Sequence, residues 1–287
     1  MPGGCHQLLP SFLHLIRALK TEGRSFSLSF RTFGGDSAGV IKEYNSLCEG
    51  RHPLFAGSSD KIVLDGSDGQ RDMRIHIVGT WVRTGENADE LLLALGTHEQ
   101  PPNDATTAAQ RAAQSSTPAR RPGAGAAVGL RDYYPAWEAK DCTAAGGKPL
   151  FLERDNPEVL QIIFDDHILP NDAHIVDARR AEQPMAPPLP IAATFNTHLI
   201  RAEPFKSILD RGYFPDAVTR AEERWRQSAA RRAKLCQALG NYEKLVAQLG
   251  ERDAPGEHTA YVPHAQSTTV LLASDAHTFE HDEEGGH

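Results

Sequence analysis

Four side chains in this chain have the types needed to handle a phosphorylated small molecule. They are the hydroxyl of Thr32, the ammonium of Lys148 and the carboxylates of Asp165 and Asp166. Two carboxylates hold a hard cation such as Mg2+ through oxygen, while a hydroxyl and an ammonium neutralise phosphate oxygens. Magnesium-assisted phosphoryl transfer is the chemistry that this set supports. Arg31, next to Thr32, and Gly34, in the turn Phe33-Gly34-Gly35-Asp36, are candidates for substrate contact. For Arg31 a surface ion pair is the plainer alternative, and the Gly34 turn lacks the spacing of a nucleotide-binding loop. Thr32 taken alone is an ordinary β-branched strand residue. The acid pair is more informative, because two carboxylates closing a buried strand are costly unless their charge is offset. His167 could tune those acids or serve only as a loop histidine. Asp172 and Asp177 could complete a metal shell, with loop solvation or a structural ion pair as the simpler reading. His277, His281 and His287 stand among acids and suggest only weak, adventitious metal binding.

The elements that must position these groups follow from periodicity. Leu8–Lys20 places Leu8, Phe12, Leu15, Ile16 and Leu19 at helical spacing, with Gly23 as a stop. Ser25–Thr32 alternates apolar and small polar residues, which predicts a strand. Ser37–Cys48 predicts a second helix, with Val40, Ile41, Tyr44 and Leu47 on one side. Lys61–Leu64 and Arg74–Val82 predict a hairpin across Asp65-Gly66-Ser67-Asp68-Gly69. Gln161-Ile162-Ile163-Phe164-Asp165-Asp166 predicts a buried parallel strand whose carboxyl end does polar work. His174–Arg179 and His198–Pro204 predict short extended segments, and Pro215–Leu249 is helical in pattern, with Gly240 a candidate break. Helix, strand, glycine turn and helix in succession is the order of an α/β domain.

At these residues the chain resembles the haloacid dehalogenase superfamily of phosphohydrolases. Phe30-Arg31-Thr32 is similar to its second motif, a Ser or Thr closing an apolar strand. Gly147-Lys148-Pro149 is similar to its third, and Ile162-Ile163-Phe164-Asp165-Asp166 to its fourth. The resemblance covers roughly Leu8 to Arg179 and implies a Rossmann-like parallel sheet flanked by helices. It implies Asp165 as main metal ligand, Asp166 as supporting acid, and Thr32 and Lys148 as holders of the phosphoryl group. The family's first motif, an apolar strand ending in Asp-x-Asp whose first Asp is the nucleophile, belongs upstream of Thr32. The residues before Ser25 contain no aspartate. Asp65 closes Ile62-Val63-Leu64 but falls after the second motif and reads as a turn. The expectation is a shortened or inactivated relative, missing the central strand of its sheet.

Net charge is −8 and the isoelectric point about 5.9, which argues against generic binding to nucleic acid or an anionic membrane. No apolar run approaches the ~20 residues of a membrane span, and Pro10, His14 and Arg17 interrupt any secretory signal. Cys5, Cys48, Cys142 and Cys236 lie far apart, as in a reduced, intracellular and cytoplasmic protein. Residues 98–129 are rich in Ala, Gln, Thr, Pro and Gly and read as a disordered insertion. The expected organisation is a core over 1–214 containing that insertion, a helical segment over 215–250 and a flexible tail over 251–287. A small phosphorylated substrate is the expected ligand. The competing reading is a non-catalytic Rossmann-like protein that binds a protein partner through the 215–250 helix.

Overall fold

Ser-Phe-Ser-Leu-Ser-Phe-Arg-Thr forms strand β1 (Ser25–Thr32), and its alternation sorts side chains onto two faces of a sheet. Phe26, Leu28 and Phe30 join the larger apolar core beneath the helices. Ser27, Ser29 and Arg31 point the other way and are buried as well, because a second layer covers that face. The computed structural model describes residues 6–55, 61–84, 90–97, 127–154, 156, 158–249 and 267–273.

After β1 the chain forms β2 (Ile75–Thr84), β3 (Glu90–Thr97) and β4 (Ala127–Arg131). Then come β5 (Lys148–Leu152), β6 (Val159–Asp165), β7 (Val176–Arg180), β8 (Leu199–Arg201) and β9 (Ser267–Ala273). Among the described residues the main sheet has seven strands in the order β3-β2-β4-β1-β9-β6-β8. All of its pairings are parallel except the β2–β3 edge. Strands β5 and β7 pair separately as a parallel two-stranded sheet. This is a mixed α/β fold with a mostly parallel sheet.

One face of the main sheet carries α1 (Pro10–Thr21), α2 (Ser37–Cys48) and the start of a long C-terminal helix. Pro10 opens α1, where a missing N–H costs nothing. Gly23 closes it with φ +65°, a backbone state that L side chains rarely adopt. Phe12 meets Phe30 edge-on at 5.6 Å and Phe30 meets Tyr44 at 4.9 Å, which ties α1, β1 and α2 together. Two short helices follow, α3 (Tyr134–Glu138) and α4 (Pro204–Leu209), and then α5 (Tyr213–Leu249). Phe214, Ala217, Val218, Ala221 and Trp225 dock the first turns of α5 on the core. The opposite face of the sheet packs Ile163 and Leu199 against Leu150, Leu152, Val176 and Ala178 of the two-stranded sheet.

Four expectations are corrected. Lys61–Leu64 forms no strand; the hairpin lies further on, between β2 and β3. Asn45 instead grips Ile75, accepting its N–H and donating to its carbonyl, which docks the start of β2 on α2. Of the segment read as an insertion, Ala127, Val128 and Gly129 belong to β4, and 98–126 lie outside the described residues. Gly240 does not break α5; a glycine inside a long helix weakens it by only about 1 kcal/mol. The largest correction concerns 251–287. Residues 267–273 of that segment form β9, which pairs with β1 over Ser25–Arg31 and with β6 over Val159–Phe164. The centre of the sheet is therefore filled from the C-terminal part of the chain, and β1 and β6 gain their shared neighbour from there.

Candidate functional site

In a parallel sheet the carboxyl ends of the strands share one rim, and β1 and β6 bring Thr32 and Asp165 to it. Asp165 continues the β6 face that carries Ile163, toward the two-stranded sheet. There β5 begins with Lys148, whose Nζ lies 2.9 Å from Asp165 Oδ2, with both side chains 0% exposed. Two glycines allow this approach. A Cβ on Gly147 would meet the Ile175 carbonyl oxygen at 2.3 Å, and one on Gly146 would meet that of Ala136 at 2.6 Å. The Gly-Gly-Lys-Pro run thus presses β5 against β7 so that the ammonium reaches β6. The Lys148 Nζ also sits 5.0 Å above the Phe33 ring centroid, next to the end of β1.

Asp165 Oδ1 accepts the His167 N–H at 2.9 Å, and the His167 ring lies 2.9 Å from Asp166 Oδ1. Burial pushes the Asp165 carboxyl up, but the Lys148 charge and the His167 bonds outweigh it and hold it below its ordinary value. The hydrogen bonds with Asp165 and Asp166 raise the His167 imidazole to about 10. At neutral pH the Asp165 carboxylate therefore lies beside a protonated His167.

Thr32 lies on the other face of the rim. Its hydroxyl donates to Asp36 Oδ1 at 2.7 Å and accepts the Gly34 N–H at 2.9 Å, which builds the turn leading into α2. Thr32, Asp36, Ser37 and Asp166 line a cavity of about 270 Å³ whose other walls include Phe12, Phe30 and Phe214. Sequence reasoning therefore named residues that reach one rim in two groups. Lys148 and Asp165 form a sealed pair, and Thr32 and Asp166 share a cavity. One assignment changes, and the other residue is placed in the turn. Arg31 is buried, bonded to both oxygens of Asp132 and to the Pro149 carbonyl, so it braces β1 against β4 and β5 and does not reach for substrate. Gly34 gives its N–H to Thr32.

Asp177 is a structural ion-pair member, held between Arg83 at 2.6 Å and Arg179 at 2.7 Å. Asp172 is exposed and accepts the His174 N–H. Asp65 makes an exposed turn with Ser67. The tail histidines lie outside the described residues. For Asp177 the structural ion pair named from sequence is the one found; sequence reasoning missed its partners Arg83 and Arg179, and Asp132, for which the available signal was charge at or next to inward positions of strands.

Two groups among the described residues have donor sets suited to a cation: Asp165–Asp166–His167 and His6–Glu43–His52. In the second, Glu43 Oε1 lies 2.9 Å from both imidazoles. The Leu54 N–H donates to His52 Nδ1 at 3.2 Å. That fixes the ring proton on Nε2, facing Glu43, where a metal would need a lone pair. The group is a hydrogen-bonded clamp on the segment leading into α1. The first group offers carboxylate oxygens, which suit a hard cation.

Comparison with known protein families, with curated proteins and with solved structures finds no match to this chain. No helix among the described residues is long and apolar enough to cross a membrane.

Proposed function

We propose that this chain is a magnesium-dependent phosphohydrolase of the haloacid dehalogenase kind, built on a Rossmann-like sheet, whose nucleophile comes from its C-terminal part. The observation that carries this reading is the position of β9 between β1 and β6, the strands of Thr32 and Asp165. The family resemblance implies a central strand ending in aspartate, and the residues given before β1 contain no aspartate. In the sequence, the last residues of β9, Leu271-Leu272-Ala273, run directly into Ser274-Asp275-Ala276-His277. Asp275 itself lies outside the described residues. His277 stands where the family's second Asp would be.

The Asp275 carboxylate would form an oxygen–phosphorus bond as the bond from phosphorus to the leaving alkoxide breaks, and the alkoxide takes a proton from water to depart as the alcohol. Water then cleaves the acyl phosphate, which regenerates the carboxylate and releases phosphate. Asp165 and Asp166 would hold Mg2+, which supplies charge stabilisation to phosphate oxygens. Lys148 fixes Asp165, and the Thr32 hydroxyl would exchange Asp36 for a phosphate oxygen.

The test is hydrolysis of a generic phosphomonoester with Mg2+ by the full chain and by its Asp275→Asn and Asp165→Asn variants. Each substitution is expected to lower kcat more than about a thousandfold without a loss of cooperative unfolding. Turnover that survives Asp275→Asn removes the nucleophile assignment. A wild-type chain with no turnover, and no rise in Tm with Mg2+ and phosphate, favours the non-catalytic reading, since a ligand of the native state must stabilise it.

A further inference from the structure

The cavity at the rim passes from polar to apolar within two residues. Thr32 and Asp166 border it at the ends of β1 and β6, and Asp36 and Ser37 at the start of α2. Two residues earlier on the same strands stand Phe30 and Phe164, which also line it. Each meets a helix ring edge-on: Phe12 of α1 lies 5.6 Å from Phe30, and Phe214 of α5 lies 4.7 Å from Phe164. Phe30 and Phe164 are both in register with Leu272 of β9, three residues before Asp275. This apolar chamber therefore adjoins the strand that leads to the proposed nucleophile.

We infer that the molecule this site takes is a phosphomonoester of a compact apolar alcohol whose aromatic ring fills the chamber; the inference rests on the phosphohydrolase reading. Size selects the ring. The cavity holds about 270 Å³. A dry apolar cavity of about 150 Å³ accepts benzene, so this one admits a ring with a short arm. It falls below the roughly 300–1,000 Å³ of sites for drug-sized ligands. Spacing selects the arm. Two residues of strand span about 7 Å, the reach from a phosphorus atom at the rim to a ring carried on two carbons. The walls select against sugars. The four phenylalanines, with Val40 of α2 and Ala202 just past β8, present no side-chain partner to a hydroxyl, and a hydroxyl buried without one weakens binding.

The polar end sets a second requirement. Arg31 also borders the cavity, but its guanidinium is bonded to Asp132 and to the Pro149 carbonyl. The other ionisable groups on the lining, among the described residues, are the acids Asp36 and Asp166. No side-chain cation there is left to meet a phosphate, so the ester has to bind together with a cation held by Asp166 and Asp165. The ring contributes affinity and the cation makes the anionic end acceptable.

The experiment is calorimetry of the full chain with 2-phenylethylphosphonate and with methylphosphonate, which are not hydrolysed, each with Mg2+ and with EDTA. The ring-bearing compound is expected to bind about a hundredfold tighter, and only with Mg2+. Equal binding of the two overturns the inference, and binding that survives EDTA overturns the placement of the phosphate. A second arm compares kcat/KM for 2-phenylethyl phosphate and glycerol 1-phosphate. Both release a primary alkoxide, so the ratio, expected to exceed about a hundredfold, reads the cavity and not the leaving group. Ring-selective binding without turnover of either ester refutes the hydrolase reading and upholds the ligand class; turnover without ring preference does the reverse. Ala202→Leu, which fills the chamber, is expected to lower the ring preference in binding at least about tenfold. Val40→Ala, which enlarges it, is expected to shift that preference toward a naphthyl ring. A preference unchanged in both variants refutes the placement of the ring.

Discussion

Lys148→Met isolates the ion pair on which the site is built. Methionine keeps most of the aliphatic stem and removes the ammonium from a pocket where neither partner meets solvent. Asp165 would retain the His167 N–H at 2.9 Å and the His167 ring, whose Nδ1 lies 3.5 Å from Oδ1. Removing one partner of a buried pair costs about 3–5 kcal/mol, because the remaining charge stays desolvated. The His167 contacts put this case near about 3 kcal/mol, a large share of an ordinary domain's stability. The sign of the pH effect follows from the wild-type balance. Lys148 holds the Asp165 carboxyl below its ordinary value against burial, so the wild-type pair stabilises above the normal carboxylate range and its contribution fades on acidification. Without Lys148 burial is less opposed and the carboxyl titrates higher, so protonation relieves the variant. Urea unfolding at pH 8 and pH 5 should show the loss of about 3 kcal/mol at the higher pH and a smaller loss at the lower. Adding Asp165→Asn should recover part of it, with a coupling of at least about 2 kcal/mol in the double-mutant cycle. A loss below about 1 kcal/mol at pH 8, or one independent of pH, would show that the charges are not sealed together and that β5 is not anchored through them.

Gly147→Ala should destabilise by about 3 kcal/mol, because its Cβ would meet backbone atoms of Ile175 and Val176 and no yielding side chain; thermal unfolding reads it. His198 is buried against the Gln161 carbonyl, and burial lowers its imidazole to about 4. The unfolded chain takes up its proton near pH 6.5, so stability should fall by about 1.4 kcal/mol per pH unit between pH 6.5 and 4. His198→Asn should flatten that part of a pH–stability curve. Deleting residues 267–287 leaves β1 and β6 with facing unpaired edges. The expected outcome is loss of a single cooperative transition and of amide protection in both strands, and retention of either argues against a central β9.

How much of this arrangement could be read in advance depended on whether a residue's partner was near in sequence. β1 was legible because Phe26, Leu28 and Phe30 alternate with serines, and α2 because Val40, Ile41, Tyr44 and Leu47 share a face; both patterns are local. The acid-terminated run of β6 was legible too, since a charge closing an apolar strand needs a counter-charge. That counter-charge, Lys148, was read from the family resemblance as a holder of phosphate and not as the partner of Asp165; the close approach of Gly147 to Ile175 and Val176, and of Gly146 to Ala136 and Trp137, makes the meeting possible. Arg31 shows the limit. Alternation marked its side of β1 as polar, which suggests water, yet that side faces the two-stranded sheet and the charge is neutralised by Asp132, far along the chain. β9 was illegible for a related reason. A strand flanked on both sides needs no alternation, so Thr268-Thr269-Val270-Leu271-Leu272 offered only a short apolar run inside a polar stretch. Its place is set by the gap between β1 and β6, a property of the assembled sheet. The gap between β1 and β6 and the unexplained C-terminal stretch were therefore a single problem, which the order of strands in space resolves.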